Sequence, residues 1–108
     1  MAKAAEARQF RGVYEKVAVG SAVADVASIA NGAQGSVTVT VPGVRLDGTW
    51  VIDGISTSAD PGALDLGARV TANDTVVIIL QNNSGGAIDP ASMTYRVVAM
   101  KIAPHMTL

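Results

Sequence analysis

From Gly12 onward, turn-forming residues interrupt this chain roughly every 8 to 12 positions, at Gly20-Ser21, Asn31-Gly32, Pro42-Gly43, Leu46-Asp47-Gly48, Asp60-Pro61-Gly62, Asn73-Asp74 and across Asn82 to Pro90. Segments this short suit strands, and no connection has room for the helix that a parallel crossover requires. The residues between the turns are those of pleated sheet. The apolar set is small and branched, with 18 Ala, 15 Val and 7 Ile against 5 Leu and 1 Phe.

The clearest strand is Gly35 to Val41, where Val37, Val39 and Val41 face one way and Ser36, Thr38 and Thr40 the other. Upstream, Val13, Glu15, Val17 and Val19 share one side of an extended segment that Gly20-Ser21 is expected to break. A second apolar run, Ala22 to Ala30, should then stop at Asn31-Gly32. Downstream, Thr49 to Ile55, Leu64 to Ala72, Thr75 to Gln81 and Met93 to Ile102 read as strands. In the first of these, Trp50, Ile52 and Gly54 alternate with Val51, Asp53 and Ile55. The expectation is an all-β chain: a single β-sandwich or jelly roll of seven to eight mostly antiparallel strands with a short N-terminal arm. The arm is assigned to residues 1–12 and the β-sandwich domain to residues 13–108.

Charge divides along the same boundary. Residues 1 to 16 hold Lys3, Arg8, Arg11 and Lys16 against Glu6 and Glu15, a net of +2, whereas residues 17 to 100 hold seven Asp against Arg45, Arg69 and Arg96, a net of -4. The first dozen residues therefore read as a mobile or docking arm on an acidic body, with Arg8, Phe10 and Arg11 as candidate contacts and a disordered tail as the alternative. The strand Thr75 to Gln81 is apolar on both faces. If Val76, Ile78 and Leu80 face a core, Val77 and Ile79 point away from it, and leaving each exposed forgoes about 1.5 to 3 kcal/mol relative to full burial. Val77 and Ile79 are thus candidate subunit-interface residues, alternatives being cover by a loop or by the arm. Trp50 joins them as a core or interface aromatic.

The residue inventory argues against most site chemistry. Without Cys there is no disulfide framework, thiolate metal site or Cys nucleophile, and a single His, His105, cannot build a His-based metal site or a conventional triad. The seven Asp are scattered, and Asp47, Asp60, Asp74 and Asp89 stand beside Gly, Pro or Asn, as turn-formers do. Gly85-Gly86 lacks the following Lys or helix of a phosphate loop, and no catalytic motif is present. Asn73-Asp74-Thr75 and Asn82-Asn83-Ser84 match the glycosylation triplet but read as turns. No enzyme activity, cofactor or metal is expected. A net charge of -1 disfavours nucleic acid as partner, and no apolar stretch approaches the ~20 residues of a membrane-spanning helix.

The stretch Ala68-Arg69-Val70-Thr71-Ala72-Asn73-Asp74-Thr75-Val76, followed by Asn83-Ser84-Gly85-Gly86-Ala87-Ile88-Asp89-Pro90-Ala91-Ser92 and Thr94-Tyr95-Arg96-Val97, resembles the last three strands of a small β domain of tailed-phage virion proteins. These are head decoration (capsid cement) proteins and capsid fibres. Ala27 to Ala30 and Ser36 to Val44 are similar to the opening of that domain, so the resemblance spans about Ala24 to Met100. It implies a β-sandwich or jelly roll that assembles as a homotrimer, with the major capsid protein as partner, on the outer surface of the head. The alternative it leaves is a receptor- or carbohydrate-binding module of a tail fibre or spike. It carries no catalytic residues. In such domains the strand matching Thr75 to Gln81 alternates apolar with polar residues; here Val77 and Ile79 occupy the polar positions.

Overall fold

The computed structural model describes residues 14–102, with side chains from Lys16 onward. The arm assigned to residues 1–12, and His105, lie outside the described residues. Within them the chain is all-β, with six strands: β1 (Tyr14–Ala24), β2 (Gln34–Thr40), β3 (Trp50–Thr57), β4 (Leu64–Ala72), β5 (Thr75–Asn82) and β6 (Met93–Ile102). They form two three-stranded sheets, ordered β1-β6-β3 and β2-β5-β4, in which every pairing is antiparallel. Only β4 and β5 are joined as a hairpin within one sheet; each other connection passes from one sheet to the other.

One core lies between the sheets. The central strands supply most of it: Val76, Ile78 and Leu80 from β5 face Met93, Tyr95, Val97 and Ala99 from β6. Val37 and Val39 of β2, Ala18 of β1 and Leu64 of β4 extend it, and Val41 and Val44 seal one end. The strict alternation of β2 is matched residue by residue, with Val37 and Val39 buried and Ser36, Thr38 and Thr40 exposed.

The expected count of seven to eight strands is corrected to six among the described residues. Gly20-Ser21 does not break β1, which runs through it to Ala24. A Cβ on Gly20 would collide with the Thr40 carbonyl oxygen and stand 2.8 Å from Val41 Cγ2, so the missing side chain is what lets β1 lie against the end of β2. Glycine here permits close approach instead of terminating pairing. The expected strand Ala22 to Ala30 is therefore split: its first residues belong to β1, and its remainder is irregular apart from Ile29, which forms a two-way backbone bridge with Ile88 (2.7 and 3.0 Å).

A second departure occurs in β3. Period two places Ile55 on the face opposite Trp50 and Ile52, yet all three pack against the core. The register shifts between Ile52 and Gly54, leaving Asp53 as the extra residue of a bulge, and this returns Ile55 to the inner face opposite Val97.

Two polar side chains lie within the interior. Asn82 is fully buried and fully satisfied: its Nδ2 donates to the carbonyls of Ile29 and Gly86 (both 2.8 Å), and its Oδ1 accepts from the Ser84 N–H and hydroxyl (3.0 and 2.7 Å). One of these bonds reaches the Ile29 segment and three hold the loop after β5, so Asn82 joins the two. The Tyr95 hydroxyl is buried without a hydrogen-bond partner among the described residues, and burial, with the Asp25 charge second, raises its pKa above 10.0. Tyr95→Phe should accordingly raise unfolding stability, by about 1 kcal/mol, because it removes an unpaired buried hydroxyl and keeps the ring. Gly20→Ala should lower it by about 1 to 3 kcal/mol through overpacking against Thr40. Urea denaturation of both variants beside the wild type measures the two signs.

Candidate interaction surfaces

Of the five large apolar side chains that stand exposed among the described residues, four, Val17, Val19, Val23 and Val51, lie on the outer face of the β1-β6-β3 sheet, and the fifth, Leu46, lies in a loop. Alternation along β1 turns Ala18 and the small residues after it inward and leaves Val17 and Val19 outward at 60% and 51% exposure. Register then assembles a patch. Val17 pairs with Met100 and Val19 with Val98 across β1 and β6, and Met100 pairs on its other side with Val51 of β3, 38% exposed. Toward the other end of the sheet Ser56, Ser58, Thr94 and Arg96 line a small hollow of about 60 Å³, with the exposed Val23 paired to Thr94 beside it.

The second surface lies where the free edges of β3 and β4 meet. β3 pairs only with β6 and β4 only with β5, and between them runs an open groove of about 400 Å³. Trp50 and Ile52 line it from β3, Arg69 and Val70 from β4, and Arg45 and Leu46 from the loop before β3. Trp50 is half-buried, its ring backed by the core, and Leu46 is 60% exposed.

Arg45 is positioned by the β4–β5 hairpin. Asp74, at the hairpin tip with φ 60°, accepts from the Gly43 N–H (2.8 Å) and from Arg45 Nη1 (2.6 Å), and its own N–H donates to Val44 O (2.7 Å). Asn73 Oδ1 accepts from the Leu46 N–H (3.1 Å). The Gly43 N–H, then the Arg45 guanidinium, hold the Asp74 carboxyl below its ordinary value of 3.8. The Thr49 hydroxyl and N–H do the same for Asp47. Arg69, across the groove, makes no hydrogen bond or ion pair among the described residues.

The sequence candidates fall in different places. Val77 and Ile79 lie on the outer face of the β2-β5-β4 sheet, half-buried on the middle strand, with Thr38 and Arg69 flanking Val77 and Ser36 and Gly67 flanking Ile79. Trp50 is at the groove, on the opposite sheet. Arg8, Phe10 and Arg11 lie outside the described residues. Asp47, Asp60 and Asp74 each accept a backbone N–H in a turn. Asn82 of the second glycosylation triplet is an interior residue, whereas Asn73 of the first is exposed. Among the described residues no three acidic or imidazole side chains gather as metal ligands would, and no helix is long and apolar enough to cross a membrane.

The outward patch around Val19 was readable only in part. The one-sided valines of β1 are plain in the sequence, but alternation does not say which side is inward; the small stripe Ala18, Gly20, Ala22, Ala24, able to pack close, is the signal that does. Nothing local marks Arg45, Arg69 and Trp50 as neighbours. Compared with protein-family models, curated proteins and solved structures, the chain matches none.

Linkage gives the groove a pH dependence. Because the folded pKa of Asp74 is depressed, its stabilisation is fully present above the unfolded value of 3.8 and is lost as pH falls through the lower folded value. Asp74→Asn, which tolerates the same left-handed backbone, should be less stable than wild type at pH 7. The gap should narrow below about pH 3.8. Thermal melts of both proteins from pH 7 to pH 2.5 test it.

Proposed function

We propose that this chain is a virion structural protein, a decoration or cement protein that binds the outside of a phage capsid as a homotrimer and stabilises it. The observation that carries the assembly role is the outward apolar patch of Val17, Val19, Val51, Val98 and Met100 on a domain that already has its own core. Covering that patch recovers about 1 kcal/mol for each large side chain withdrawn from water, and a copy of the same face supplies an apolar surface of the same size. The resemblance of Ala24 to Met100 to tailed-phage β domains makes capsid decoration the specific form of that role and a β-sandwich or jelly roll its fold. Contacts available only on the assembled shell would stabilise it by mass action, with the basic residues Arg8 and Arg11 reaching toward an acidic capsid surface and Val77 and Ile79 offering a second contact face.

Light scattering on the purified protein should give three times the chain mass of 11.0 kDa, and Val19→Asp, at an exposed position, should reduce it to a single chain without lowering the melting temperature by more than a few degrees. Wild type should co-sediment with capsids, and deletion of residues 2 to 11 should weaken that binding. A monodisperse single chain that leaves capsids bare would overturn the reading.

A further inference from the structure

The β3–β4 groove gathers features that the assembly reading does not use. It lies at the seam between two strand edges, each paired on one side only, whose backbones come within 8 Å of each other, so an extended segment would lie over the seam and not as a strand between the edges. Its floor is apolar, made by Trp50, Ile52 and Val70. Its rim carries two of the three arginines between residues 17 and 100: Arg45, whose charge Asp74 pairs, and Arg69. Asp74 fixes Arg45 in place, while the Arg69 guanidinium has no hydrogen bond or ion pair among the described residues. The volume of about 400 Å³ lies within the range of ligand sites.

We propose that this groove binds an extended peptide segment of a partner protein in which an acidic residue stands two positions from a large apolar one. The apolar side chains pack on Trp50 and Leu46, and the carboxylate accepts a charge-assisted pair of hydrogen bonds from Arg69. Two positions along an extended chain return a side chain to the same face, so the recognised pattern places the acid and the apolar anchor at i and i+2. An acidic sugar would bring hydroxyls to a floor with no carboxamide or carboxylate to receive them, which favours a peptide. The inference stands on the groove alone and does not depend on the capsid reading.

Trp50 is the single tryptophan of the chain, so intrinsic fluorescence reports occupancy of the groove directly. A random octapeptide pool is selected on the immobilised full chain, and the enriched peptides are then titrated in solution against Trp50 emission. The expected result is enrichment of an acid at two residues from a large apolar side chain, a saturable Trp50 shift, and weakening by about tenfold or more in Arg69→Gln. Further loss is expected with added salt. Arg69→Lys should retain part of the affinity and Val19→Ser, on the outer sheet face, all of it. The proposal is overturned by a pool with no acidic enrichment or a basic one, or by affinity indifferent to Arg69→Gln and Arg45→Gln. It is equally overturned if a polyuronate or sialylated oligosaccharide moves Trp50 in an Arg69-dependent way where peptides do not, or if the groove proves to be occupied by a second copy, seen as self-association lost in Arg69→Gln.

Discussion

The structure depends on how closely two pleated sheets can approach at each of their paired edges. Where β1 meets β2, the inner stripe of β1 is Ala18, Gly20, Ala22 and Ala24, and the absent side chain of Gly20 leaves room only for the Thr40 carbonyl. Where β3 meets β4, the inner residues are Trp50 and Ile52 against Ala68 and Val70, and the seam stays open as a groove. Small residues line the first seam, and a tryptophan lines the second. The outward valines of β1 follow from the same choice, since small residues inside leave the large ones on the alternate positions outside.

Two polar side chains, one buried and one at the surface, set the remaining geometry. Asn82 saturates its amide on four bonds and so fixes the course of the loop after β5 against the Ile29 segment. Asp74 performs a similar task at the surface, where a hairpin tip in the left-handed region presents one carboxylate to both Gly43 and Arg45. As an exposed ion pair the Arg45 contact contributes little by itself; its weight lies in placing a guanidinium at the groove, which a flexible arginine would otherwise leave free. Local turn chemistry in this way determines the charge of a surface formed by strands distant in sequence.

The two surfaces have different character and call for different partners. The β1-β6-β3 face is flat and apolar at one end, suited to another broad surface, including its own copy. The β3–β4 groove is narrow, carries Arg45 and Arg69 at its rim, and suits an extended chain. The proposed assembly role would have use for both, one to join equivalent subunits and one to grip a segment of something else.

Much of the architecture was legible from the chain alone. Alternation in β2, the Asn73-Asp74 hairpin, and the bounds of β4 and β6 follow from period-two patterning and turn residues, because both act between neighbours in sequence. The all-β class follows from turn spacing too close for crossover helices. Three things required the folded state. Whether Gly20 ends a strand or lets one pass depended on what lies 20 residues away, at Thr40; which residues of β3 face inward depended on a bulge, invisible to a fixed period; and the meeting of Arg45, Trp50 and Arg69 arose because nearly every connection switches sheets. Pattern along the sequence determined which residues alternate and where the chain turns. Only the packing of one sheet on the other decided which alternate face is the inside, since that is settled by the size of side chains arriving from a different strand.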